Sequence, residues 1–202
     1  MSDKKRECVR ELERRLGETG TEIAVKPDYQ VWWHAGAAWF MVGLFWVIRV
    51  FSFGRFDVDF NRFWTTLGGV AYAPKGTDPS LRDAWDYSVV CHELGHRYQD
   101  EAEGWSYRLK YIFSAHHRGR YEAACYALQV AAAFRFAEYV SDRFVDALVD
   151  GISGTAYLGA ADEETARDFL YDIAEHVRDE EFDAWNPVES TFLQKRVDMY
   201  FG

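Results

Sequence analysis

Cysteine is scarce: three residues in a chain of 202, at Cys8, Cys91 and Cys125. An odd count at irregular spacing makes no disulfide framework, which points to a reducing compartment. Positive charge is also short, with 23 Lys and Arg against 33 Asp and Glu, a formal net charge of −10 and a pI near 5.1. Nucleic-acid binders carry a basic face, so no nucleic-acid partner is expected. The opening residues Met1, Ser2, Asp3, Lys4, Lys5, Arg6 and Glu7 are polar, and the first apolar run has no small-residue cleavage pattern behind it. No signal peptide is expected. Internal repeats and low-complexity segments are absent. Long apolar runs are nearly so. The uninterrupted core of the longest, residues 35–48, lies between His34 and Arg49. As a helix it would span about 21 Å, short of a hydrocarbon core of roughly 30 Å. Extended outward to 31–53 it becomes long enough, and Trp32 and Trp33 would suit a membrane interface. A core run of this length is more often a central buried helix, and that reading is preferred. Contact with a membrane or a hydrophobic partner through residues 31–53 is the alternative.

What is present is ample for a core: 49% of residues are apolar and 17% aromatic. The length suits one domain with appendages. The division expected is an N-terminal helix and linker over residues 1–30, then a single domain over 31–202 whose core covers about 40–160 and which ends in further helices.

The stretch that organises the chain is Cys91, His92, Glu93, Leu94, Gly95, His96. It reads H-E-x-x-H. On a helix, residues i and i+4 project from one face a turn apart. His92 and His96 can therefore offer two imidazole nitrogens to one cation, each about 2.0–2.1 Å away if the metal is zinc. Glu93 is placed to take a proton from a water beside that cation as the water attacks a carbonyl. The flank of Tyr87, Ser88, Val89, Val90 and Cys91 is largely apolar, and Trp85, Val89, His92 and His96 follow one helical stripe. Histidines on a buried stripe need partners, which a metal supplies. Other divalent ions suit the same motif.

A catalytic zinc takes three protein ligands and keeps a fourth position open. The extended form H-E-x-x-H-x-x-G-x-x-H would need Gly at 99 and His at 102, where this chain has Gln99 and Ala102. A glutamate on a later helix is the other common source. Glu122 is the only acid in the small-residue stretch 119–127. A buried carboxylate is costly without a cation beside it. The competing reading pairs Glu122 with Arg118 or Arg120 at a helix start, where acids are favoured. Asp100, Glu101 and Glu103 are weaker candidates, in a polar cluster that ends at Gly104. A thiolate ligand from Cys125 is conceivable, but a small buried side chain is preferred.

Around the motif, an amphipathic helix is expected over 3–17, with Val9, Leu12 and Leu16 as its stripe and Gly17 as its stop. Residues 20–27 read as a linker or short strand. Residues 63–66 and 70–73 read as strands joined by a Gly68-Gly69 turn. Asp78 and Pro79 can start the motif helix, there or a turn later. A helix is expected over 105–113. His116, His117, Arg118 and Gly119 read as a loop whose histidines could meet a substrate. Helices follow from Glu122 to about 136, over 138–149, over 163–178 behind an Asp162 cap, and over 188–200 after an Asn186-Pro187 turn.

The order of these parts is similar to that of a group of bacterial and phage-encoded zincin-like proteins of the minimal gluzincin kind. The likeness rests on a hairpin running from Phe63 through Thr65, Gly68 and Tyr72 to Pro74 and on H-E-x-x-H-x-x-Q from His92 to Gln99. The aromatic helix with Tyr107 and Tyr111 follows, then Glu122 with Tyr126, and Gly154 with Tyr157. It covers roughly 40–160. The resemblance implies an α+β fold, predominantly helical, with a small antiparallel sheet or hairpin packed on the H-E-x-x-H helix and on a second ligand-bearing helix. It implies His92, His96 and Glu122 as zinc ligands, Glu93 as general base, and Tyr157 as a stabiliser of an oxyanion. The strand just before the metal helix could hold an extended peptide by strand addition. The expected activity is zinc-dependent peptide-bond hydrolysis on a peptide or protein substrate, in the cytoplasm or in a virion or other multiprotein particle. The alternative is a non-catalytic, zinc-stabilised interaction protein.

Overall fold

The computed structural model describes residues 2–25, 64–67, 69–74, 81, 83–154, 161–179 and 185–202. Residues 31–53, the Asp78-Pro79 helix start and Tyr157 lie outside these. The described chain is predominantly helical with one small sheet: α1 (Asp3–Glu18), β1 (Glu22–Val25), β2 (Thr65–Leu67), β3 (Val70–Ala73), α2 (Ala84–Glu103), α3 (Trp105–Phe113), α4 (Ala115–Ala137), α5 (Asp142–Ser153), α6 (Glu163–Arg178) and α7 (Thr191–Phe201). Among the described residues, no helix is long and apolar enough to cross a membrane.

The sheet is mixed. Its order is β1-β3-β2, with β1 parallel and β2 antiparallel to β3. The hairpin half matches the Gly68-Gly69 turn: Leu67 pairs with Val70, so two residues close the loop, and Gly69 takes φ +85° as a tight hairpin turn requires. Of the two readings of residues 20–27, the short strand holds, but its parallel pairing was not legible, because its partner lies more than forty residues on. The addition of β1 puts β3, the strand just before the metal helix, in the centre of the sheet, and β2 is the edge nearest α2.

The axis of the molecule is α4. Fifteen of its 23 residues are buried, and six of those are alanines. A helix buried all round needs small side chains wherever a neighbour approaches closely. On one side it meets α1 and α2 through Leu12, Tyr87, Leu94 and Phe136, and on the other α5, α6 and α7 through Leu148, Phe169, Ile173 and Leu193. Helix α1 thus belongs to the same core as the helix that carries the H-E-x-x-H motif.

Several boundaries differ from the sequence reading. The motif helix starts at Ala84, where the Asp83 side chain accepts from the Asp86 N–H at 2.8 Å. Its Trp85 is half-exposed, so the buried stripe begins a turn later. Gly17 does not stop α1, which runs one residue further. His116 to Gly119 form no loop. Ser114 caps α4 by accepting from the His117 N–H, and the helix runs straight through Gly119. A mid-helix glycine costs about 1 kcal/mol against alanine, which the buried packing of this segment offsets. The break after α4 falls at Glu138, a non-glycine residue at φ +60°, and α7 begins at Thr191, after the Asn186 side chain has accepted from the Val188 N–H.

Candidate metal centre

Helices α2 and α4 cross closely, and Gly95 is the reason. A Cβ there would sit 2.9 Å from Cys125 Sγ and 3.3 Å from Leu128 Cδ2. This contact brings one face of α4 against the turn of α2 that carries both histidines. His92, His96 and Glu122 then converge, with one donor atom of each lying within 4.8 Å of the others. His92 Nε2 and His96 Nε2 are 3.1 Å apart. The Glu122 carboxylate straddles them, with Oε2 at 3.4 Å from His92 Nε2 and Oε1 at 3.4 Å from His96 Nε2. Four ligands at about 2.0–2.1 Å from a tetrahedral zinc stand roughly 3.3–3.4 Å from one another. The separation of the two imidazole nitrogens, and the distance from each to the carboxylate oxygen it faces, are therefore close to the spacing of ligands around one such ion.

The chemistry of the donors also fits a cation. Glu122 is fully buried and His92 is 3% exposed. Glu122 Oε2 accepts no hydrogen bond, and His92 Nδ1 has no hydrogen-bond partner. Burial alone would raise the Glu122 pKa, but the two imidazoles outweigh it and hold the carboxyl down at about 2. Burial likewise opposes a proton on His96, yet Cys125, Tyr107 and Glu122 around the ring leave its pKa well above 6.5. The imidazoles and the buried carboxylate thus favour each other's charged forms, and a metal ion would supply the positive charge that the carboxylate faces.

Surrounding groups fix the ligands. The Tyr111 hydroxyl donates to Glu122 Oε1. Its pKa is raised, by burial first and then by the Glu122 charge, so the phenol stays a donor. His96 Nδ1 lies 3.1 Å from Gln99 Oε1 and 3.1 Å from the Tyr107 hydroxyl. Edge-on rings close the sides, Tyr126 against His92 at 4.6 Å and Tyr111 against His96 at 5.8 Å between centroids. Cys125 is no ligand. Its sulfur sits 3.4 Å from His96 Nδ1, on the side of the ring away from Nε2, and burial raises its thiol pKa.

Glu93 is buried next to the site, and its Oε2 accepts a 2.6 Å hydrogen bond from Thr66 Oγ1 on the edge strand β2. Its charge is felt by Tyr107, Tyr111 and Cys125, the groups that ring the triad. The pairing of Glu122 with nearby arginines is replaced by other bonds. Arg118 Nη1 donates to the Tyr111 carbonyl at 2.9 Å and so caps α3, while Arg120 pairs with Asp198. Glu122 also lies two turns inside α4, beyond the reach of the helix-end dipole. Asp100 pairs with Arg108 and Glu103 with Lys110, away from the triad. His116 and His117 line a separate cleft of about 460 Å³ with Gln99, Lys110 and Arg120.

Sequence reasoning gave Gln99, Tyr107, Tyr111 and Thr66 no role at the site, although the first three stand in the motifs that carry the resemblance. The spacing held a signal for three of them: Gln99 follows His96 by three on the same helix face, and Tyr107 and Tyr111 are four apart. Nothing in the sequence tied Thr66 to Glu93. No protein family model, curated protein or solved structure matches the chain.

Proposed function

We propose that this chain is a zinc-dependent hydrolase of peptide bonds, of the zincin-like kind that its motif order resembles. The observation that carries the reading is the convergence of His92 Nε2, His96 Nε2 and the Glu122 carboxylate within 4.8 Å of one another, with a second carboxylate, Glu93, beside them. Zinc held by the three ligands would polarise a substrate carbonyl and make water a stronger nucleophile at neutral pH. Glu93 takes the proton of the attacking water and delivers it to the leaving amine. Thr66 orients that carboxylate through its 2.6 Å hydrogen bond. Tyr111 holds Glu122 in its ligand orientation. Because Thr66 lies on edge strand β2, a peptide that added to this edge in an extended form would run past Glu93.

The test is hydrolysis of a fluorogenic peptide library by the zinc-loaded protein. Glu93→Gln is expected to lower turnover by about 10²–10⁴ while the zinc content stays at the wild-type level. Loss of zinc together with activity would remove Glu93 from the role of base.

The burial of all three donors favours a second reading, in which the metal is a staple and the protein a non-catalytic component of an assembly. In that case neither the wild type nor Glu93→Gln cleaves any peptide of the library, and chelation lowers the melting temperature of both alike.

A further inference from the structure

We infer that Gln99 is the positioning residue that prepares His96 for the metal, by fixing which of its ring nitrogens carries the proton. The inference rests on the proposed zinc site and adds to it a residue three places beyond the motif.

Gln99 is 4% exposed and bonded at both ends of its amide. One end lies 3.0 Å from the main-chain oxygen of Tyr121. A carbonyl oxygen only accepts, so the amide nitrogen faces Tyr121 and the amide oxygen faces the other way. That oxygen is 3.1 Å from His96 Nδ1. It too can only accept, so Nδ1 carries the hydrogen, whether the ring is neutral or charged. In the neutral ring Nε2 is then the bare lone pair, and Nε2 is the atom that faces Glu122 and His92. The opposite tautomer would set two acceptors against each other in a buried place, which is costly.

Two neighbours agree with this assignment. The Cys125 thiol donates weakly to Gln99 Oε1 at 3.6 Å, which is the orientation an amide oxygen requires. The Tyr107 hydroxyl, 3.1 Å from Nδ1, is able to accept from the same hydrogen, since a phenol oxygen both donates and accepts. Gln99 also forms part of the wall of the 460 Å³ cleft that holds Tyr121 and His117, so the amide separates His96 from that space. Truncation would admit water, which could replace the lost acceptor. A leucine fills the gap and offers none.

Zinc affinity, read by competition with a chromophoric chelator, tests the inference without reference to turnover. Outer hydrogen-bond partners of histidine ligands are worth about 10–100-fold in metal affinity. Gln99→Leu is expected to lose affinity in that range, and Tyr107→Phe is expected to lose less. Gln99→Glu keeps the acceptor for Nδ1–H but not the donor to Tyr121, and is expected to return affinity to within a few-fold of wild type even where its metal-free melting temperature falls. Long-range ¹H–¹⁵N spectra of the zinc-loaded wild type, which need no variant, should show His96 protonated at Nδ1 and metal-bound at Nε2. Gln99→Leu that binds zinc as tightly as wild type, Gln99→Glu as weak as Gln99→Leu, or zinc on Nδ1 would each overturn the inference while leaving the zinc site itself in place. A wild-type protein that takes up no zinc would end both.

Discussion

Each side chain of the triad does something its type alone does not guarantee. Glu122 is a fully buried carboxylate whose acidity is nonetheless strengthened, because two imidazoles face it. His96 is a buried imidazole whose basicity is nonetheless raised. The pair makes the metal-free protein pH-sensitive in a definite direction. The raised His96 contributes stability that is full below 6.5 and fades as pH climbs through its higher folded value. The depressed Glu122 contributes stability that is full above 4.5 and fades as pH drops toward 2. The metal-free protein should therefore melt highest between about pH 4.5 and 6.5 and lose melting temperature on the alkaline side. If zinc binds as proposed, it would compete with the proton for the same Nε2, so saturation with zinc should remove or invert the alkaline decline. Scanning calorimetry across pH, with and without zinc, checks this, and parallel curves would count against a shared site. The histidines and Glu93 were legible in the sequence because one helical turn fixes their spacing. Glu122 was legible only as a lone acid among small residues. Gln99 and Thr66 stayed hidden because their partners are set by tertiary contact: Gln99 bonds a carbonyl on another helix, and Thr66 reaches across from the sheet.

Among the elements, the crossing of α2 and α4 sets the geometry. Gly95 sits in the middle of the ligand motif, and the space beside it is taken by Cys125 and Leu128. Gly95→Ala would normally favour a helix, but here the added methyl has to push the helices apart. A loss of about 1–3 kcal/mol is expected, as for other overpacked cores, along with weaker zinc binding. Cys125→Ala removes the nearer obstacle and should recover part of both losses in the double variant. Denaturant melts of the four proteins measure the coupling, and strict additivity would show that the close approach is not what Gly95 serves. Helix α3 has a related part. None of its residues is buried, yet Tyr107 and Tyr111 reach inward to His96 and Glu122, and Arg118 ties its last carbonyls to α4. Periodicity found this helix with its ends right because Gly104, at φ +58°, and Ser114 mark them. Periodicity failed at residues 116–119, where a histidine pair and a glycine look like a loop. A serine cap just before them and burial against neighbouring helices outweigh those local preferences.

At the scale of the whole molecule, two apolar clusters among the described residues flank one central helix, and the donors lie where α4 meets α2. The predominance of helices was readable from the apolar periodicity of the segments around the motif. The parallel pairing of β1 and the place of α1 in the core were not, since both depend on contacts far apart in sequence. A metal bound only by the folded chain stabilises it by mass action, about 4.1 kcal/mol at a free concentration a thousandfold above Kd. Zinc should accordingly raise the melting temperature of the wild type and leave that of His96→Ala nearly unchanged. Equal shifts in both proteins would place the metal elsewhere on this acidic chain. The most direct measurement is elemental analysis of the purified protein beside Glu122→Ala and His96→Ala. One zinc per wild-type chain, lost from both variants, is the predicted result. A wild type without stoichiometric metal, or a Glu122→Ala variant that keeps its zinc in full, would contradict it.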